Sequence, residues 1–247
     1  MSGFNYKMRG EWRLEPTTTT VLGQKFLRTL EALMQAAPEI GEFRVADLED
    51  LHTARSFSID EARARIPQFV EAGMIHFDGD PQPHEGYLMH AVNMSPRSPK
   101  VVSWTACVGG EFGTRLEFEV GSLMIPSDLD IVTYPLFRAA LLTTIAEWPS
   151  NWVNSYAFNE DYNEAPRAPG IPAHPDTRFH LPWLSYLSQP LAAGLRPPAE
   201  ILTERTPDGG LLMIAAEERL DPSNPDHMRR SRIMADIMVE RAGTRSV

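Results

Sequence analysis

The chain reads as an α+β protein, an antiparallel sheet packed with several helices, and three observations predict it. Apolar residues recur at helical spacing in four well-separated stretches, while several shorter apolar stretches are β-prone. The connections between those short stretches carry turn residues such as Pro-Gln-Pro and Gly-Gly-Glu-Phe-Gly. Finally, 21 prolines are spread over 247 residues, which favours many short elements over a long-helix fold. With 43% hydrophobic residues the chain can bury a sizeable core. The organisation expected is one domain over 1–247, with the proline-rich connection 159–178 as the place where two lobes would divide.

In order along the chain, a first strand is expected within 6–14. Thr17 to Thr20 then offer a cap to a helix whose Leu22, Phe26, Leu30, Leu33 and Met34 fall on one side, ended by Pro38 and Gly41. Ser58 and Glu61 form a capping-box pair at the start of a second helix with Ile66, Phe69 and Val70 on its apolar face, although Pro67 interrupts its middle. Strands are expected around 74–77, 86–94, 101–108 and 115–120, and their short connections suit an antiparallel meander. In the last of these, Leu116, Phe118 and Val120 alternate with Arg115, Glu117 and Glu119, which predicts one buried face and one wet, mainly acidic face. Thr133 caps a third helix carrying Phe137, Leu141 and Ile145, with Pro135 tolerated in its first turn. A strand is expected at 152–158, an apolar aromatic run at 179–187, and a hairpin at 201–215 turning through Arg-Thr-Pro-Asp-Gly-Gly. Asn224 and Pro225 open a last helix with Met228, Ile233, Met234, Ile237 and Met238 on its apolar side, and Gly243 stops it.

Charge and composition exclude several function classes. A formal net charge of −10, from 33 acidic and 23 basic residues, opposes direct binding to nucleic acid or to an anionic membrane. A basic partner fits it better, although solubility explains acidity equally well. The N-terminal residues lack the continuous apolar core of a secretory signal, and no segment approaches the roughly 18 apolar residues of a membrane span, so a soluble, cytoplasmic protein is expected. The single cysteine, Cys107, lies in an apolar run and is expected to be a buried, inert thiol.

Chemistry-bearing patterns are weak. Seven histidines raise a metal hypothesis, but His76, His84 and His90 have intervals matching neither a helical ligand pair nor a zinc-finger framework. His174 and His180 flank a proline-rich turn. A small hydrolase or metal-dependent enzyme using His84, His90, His174, His180 and loop carboxylates is the alternative reading. No Gly-x-Ser-x-Gly elbow, Walker loop or dinucleotide fingerprint is present, and the pairs Gly109-Gly110 and Gly209-Gly210 read as hairpin turns. The acidic doublets Glu160-Asp161 and Glu217-Glu218 are the obvious acid–base candidates, yet neighbours on a strand point to opposite faces. No catalytic residue and no cofactor is expected.

More distinctive is the run from Trp148 through Trp152 into Tyr156, Phe158, Glu160, Asp161, Tyr162 and Glu164, aromatic and acidic together. Trp148 and Trp152 are expected in the core, whereas Tyr156, Glu160, Asp161, Tyr162 and Glu164 are the candidate partner-binding residues. Aromatic rings give contact area at modest entropic cost, and carboxylates pair with the Arg and Lys of a basic surface and speed encounter.

Three further segments carry a resemblance. They are Leu22-Gly23-Gln24-Lys25-Phe26-Leu27-Arg28-Thr29-Leu30, then Tyr134-Pro135-Leu136-Phe137-Arg138-Ala139-Ala140-Leu141-Leu142 with the Trp-Pro-x-x-Trp that follows, and 203–213 continuing through Glu218-Arg219-Leu220-Asp221-Pro222. With them the chain resembles the Imm52-type immunity proteins, bacterial antitoxins encoded beside polymorphic or type VI secreted toxins. The resemblance implies an α+β inhibitor that neutralises a cognate toxin by direct binding, with nuclease toxins among the partners expected. It transfers no binding residue to a position of this sequence. A third reading, an assembly subunit whose apolar faces continue into a homo-oligomer interface, stays open.

Overall fold

The computed structural model describes residues 5–12, 17–48, 55–78, 80–82, 86–93, 101–109, 114–121, 129–158 and 181–243. Its centre is a ten-stranded sheet. In chain order the strands are β1 (Asn5–Trp12), β2 (Phe43–Ala46), β3 (Ser56–Phe57), β6 (Tyr87–Asn93), β7 (Val102–Val108), β8 (Thr114–Val120), β9 (Trp152–Phe158), β10 (Pro182–Leu187), β11 (Leu202–Arg205) and β12 (Leu211–Ile214). In space they run β11-β12-β10-β9-β1-β8-β7-β6-β2-β3, and every neighbouring pair is antiparallel. The expected meander is β6-β7-β8, and the expected hairpin is β11-β12. A separate two-stranded ribbon joins β4 (His76–Phe77) to β5 (Asp80–Pro81). The α+β class predicted from the sequence is therefore the class found.

Four of the helices begin at a residue whose side chain accepts from their free amides. In α1 (Thr19–Ala36) the Thr18 side chain accepts from the Val21 N–H, and Leu22, Phe26, Leu30 and Leu33 are buried at helical spacing. In α4 (Tyr134–Glu147) Thr133 caps the Leu136 N–H with Pro135 in the first turn. Asn224 caps α6 (Pro225–Met238) through the amides of Asp226 and His227, and a short π-helical turn continues it over Val239–Gly243. The second expected helix is two, α2 (Ile59–Arg63) and α3 (Ile66–Ala72). The Ser58–Glu61 capping box starts the first, and Pro67, which cannot donate an interior hydrogen bond, sits instead in the first turn of the second. The one-turn α5 (Gln189–Ala192) follows β10.

Helices α1 and α4 cover one face of the sheet. Phe26 of α1 meets the Trp104 ring of β7 edge-on at 5.6 Å, and Phe137 of α4 meets Phe118 of β8 at 5.4 Å and Trp183 of β10 at 5.1 Å. Trp148 and Trp152 are buried, as expected, and the Trp148 indole N–H donates to Thr29 Oγ1 at 2.8 Å, tying the end of α4 to α1. β10 is buried along its whole length, including Ser185, as a strand enclosed on both faces must be. Ser231 of α6 donates to its Pro182 carbonyl at 2.5 Å. Among the described residues no helix is long and apolar enough to cross a membrane.

The first strand occupies the middle of the sheet. β1 pairs with β8 on one side and β9 on the other, so it joins the meander and β2 and β3 to the strands nearer the C-terminus. Strands β9 and β10, which flank 159–178 in sequence, are direct neighbours with a bulge between Pro182 and Leu184.

Candidate functional site

Alternation along the central strands sends polar side chains to the face opposite α1 and α4. On β1, Tyr6 and Met8 turn to the helices while Lys7 and Arg9 turn away; β8 sends Arg115, Glu117 and Glu119 to the same side, and β9 sends Asn154 and Tyr156. Register then sets Lys7 between Glu119 and Tyr156, and Arg9 between Glu117 and Asn154. Lys7 Nζ lies 3.2 Å from Glu119, and Arg115 lies 2.7 Å from Glu117. This face is not the wet, acidic surface that β8 alone implies: the Glu117 and Glu119 side chains are 18% and 16% exposed and stand among cations. The difference arises because the partners of β8 come from β1, more than a hundred residues away in sequence.

Tyr156, one of the five candidate binding residues, belongs to this face and is 8% exposed. Burial pushes its phenol up to about 12, helped by Glu117 and opposed by Arg9 and Arg115. Glu160, Asp161, Tyr162 and Glu164 lie outside the described residues, as does the whole connection 159–178. Beside Tyr156 on β9, Asn154 is buried and its Oδ1 accepts from Ser185 at 2.5 Å.

On β6 and β7 the same face carries His90, whose Nδ1 is 2.9 Å from Thr105 Oγ1. Burial lowers the pKa of this imidazole and raises that of the half-buried Cys107 thiol, so the thiolate, the nucleophilic form, is disfavoured. His76 lies on β4, and no group of three metal-ligating side chains occurs among the described residues. His84, His174 and His180 fall outside them.

The doublet Glu217-Glu218 does not present two carboxylates to one point. Glu218 Oε1 is 2.8 Å from His227 Nε2, and that hydrogen bond is the main cause holding its carboxyl below the usual range. His227 itself is buried at the start of α6. Sequence reasoning passed over it, although a histidine three residues after a helix-capping Asn is placed to meet the segment that leads into the helix.

The architecture thus defined is an α+β fold around a ten-stranded antiparallel sheet, one face apolar under helices and the other bearing paired charges. No family model matches the chain, and no curated protein matches it. Among solved structures it is similar to the Pseudomonas aeruginosa T6SS protein PA0821, with a TM-score of 0.54 and 10% sequence identity, over 96% of this chain and 76% of that one. At this identity the likeness is one of fold.

Proposed function

We propose that the chain is an immunity protein that neutralises a cognate toxin of a type VI secretion system by binding it directly. The observation that carries this reading is the likeness to a T6SS protein over 96% of the chain. It agrees with the system to which the sequence resemblance to Imm52-type immunity proteins points. The partner expected is a toxin with a basic surface, met by the acidic chain and, within it, by Glu160, Asp161 and Glu164.

Co-expression with the toxin encoded beside this gene tests the reading, with growth and co-purification as readouts. Rescue of growth together with a stable complex is expected. Rescue without a complex, or a complex without rescue, would overturn neutralisation by binding. Reversing the charge of Glu160, Asp161 and Glu164 together should weaken the complex more at low salt than at high salt, since screening suppresses the attraction of exposed charges. Equal affinity and equal salt dependence would place the contact elsewhere on the chain.

A further inference from the structure

Residues 215–224, between β12 and α6, lack regular secondary structure, yet they are fastened to the fold by side chains from several elements. The Trp183 indole of β10 donates to the Ala216 carbonyl at 2.9 Å, and Arg230 of α6 donates to that of Ala215 at 3.1 Å. The Tyr6 hydroxyl of β1 donates to the Leu220 carbonyl at 2.8 Å. Arg219 of the segment donates to the Leu129 carbonyl at 2.7 Å. A further fastening is of another kind: the Asp221 N–H donates to Nδ1 of His227 at 3.1 Å. An indole, a guanidinium and a phenol keep their donor protons across the physiological range, whereas an imidazole gains one within it.

His227 is 4% exposed, and both its ring nitrogens are engaged. Because Nδ1 accepts from a backbone amide it carries no proton, so the ring proton sits on Nε2 and points to Glu218 Oε1 at 2.8 Å. A second proton can enter only at Nδ1, where it would face the Asp221 N–H, a donor against a donor. We infer that His227 is a proton-operated latch: its uncharged imidazole holds the Asp221 turn against α6, and protonation releases that turn.

The surrounding charges decide how far the release goes. Glu218 and Asp221 of the segment both attract a protonated ring, with Arg219 beside Asp221 and Arg230 of α6 beside Glu218 opposing it. Asp226 adds a carboxylate on the helix itself, and Tyr6, its phenol pushed up to about 12 by burial, stays neutral. The protonated ring therefore keeps its hold on Glu218 while losing the amide of Asp221. The consequence is local opening of 221–223, next to the Asn224 cap, with the sheet and α6 intact. This inference is independent of the proposed toxin binding.

Amide exchange and imidazole NMR on the full chain test it. The ¹⁵N spectrum at neutral pH should show the Nε2–H tautomer for His227. As the ring titrates on acidification, protection of the Asp221 amide, corrected for intrinsic exchange, should fall by about tenfold, the worth of one amide hydrogen bond. The Ala215 amide, bonded to the Trp183 carbonyl at 2.9 Å, should keep its protection over the same range. In His227→Asn the amide oxygen can accept from Asp221 but cannot be protonated, so Asp221 protection should no longer depend on pH. An Nδ1–H tautomer in the wild-type chain, unchanged Asp221 protection down to pH ~5, or an Asn variant that follows the wild-type profile would each overturn the latch. The first two measurements need no variant to fold.

Discussion

Trp104 and Trp148 lie 6.4 Å apart between α1 and the sheet, both buried, and differ in their polar neighbours. The Trp148 indole N–H reaches Thr29, whereas that of Trp104 meets no acceptor among the described residues. Trp148 also lies under Lys25, whose ammonium is 5.6 Å from the ring centre. Replacing either by Phe removes similar apolar volume, but only Trp148→Phe removes a buried hydrogen bond and leaves the Thr29 hydroxyl short of a partner. Trp148→Phe should therefore cost about 1–2 kcal/mol more than Trp104→Phe. Denaturant midpoints of the two variants measure this, and equal losses would show that the Thr29 bond contributes no net stability.

At the scale of elements, close approach decides the junction between α3 and β6. Gly73 ends the helix where its carbonyl accepts from the Leu88 N–H at 2.7 Å, and a Cβ added there would sit 1.8 Å from the Leu88 oxygen. That contact is with backbone, so Gly73→Ala must push the helix off the strand. Gly41 has open space around its Cβ position, and its cost comes only from a φ of +75°. Gly73→Ala should lower stability by about 3 kcal/mol or more, against about 1 kcal/mol for Gly41→Ala. Thermal unfolding of both variants separates the two effects; a smaller loss for Gly73→Ala would mean that the junction yields.

Elements were legible in the sequence where their causes are local. Thr18, Ser58, Thr133 and Asn224 each cap the helix they were expected to start, and the Pro-Asp-Gly-Gly turn closes the hairpin it implies. What stayed hidden depends on pairing across long distances. Nothing in 5–12 shows that this strand sits between β8 and β9, and hence nothing in Glu119 shows that Lys7 neutralises it. For the same reason the candidate site was only partly readable. Tyr156 was singled out for its aromatic, acidic surroundings in sequence, while its surroundings in space are Arg9, Arg115, Glu117 and Glu119. His227 escaped notice because its partners, the Asp221 amide and Glu218, become neighbours only when α6 folds back against the segment before it.

For the whole molecule, the central place of β1 has a consequence for cooperativity. Removing this strand would strip the pairing edge from β8 and β9 at once and leave two incomplete sheets, each with an open edge. Tyr6 couples the two sides further, since its ring packs against both Phe137 and Trp183 and its hydroxyl holds Leu220. Strands β9 and β10 pair directly although 159–178 separates them in sequence, so a division of the chain at that connection would cut a ladder of hydrogen bonds rather than a linker between units. Unfolding should accordingly be one transition. With fluorotryptophan incorporated at all five tryptophans, Trp104 reports on the meander side of β1 and Trp183 on the other, each through its own ¹⁹F resonance. Both native signals should disappear at the same denaturant concentration, and deletion of 1–12 should abolish both together. If Trp183 melted at a distinct midpoint while Trp104 kept its native signal, the strands beyond 178 would form a folding unit of their own, and β1 would be a neighbour of that unit rather than the strand that holds it in place.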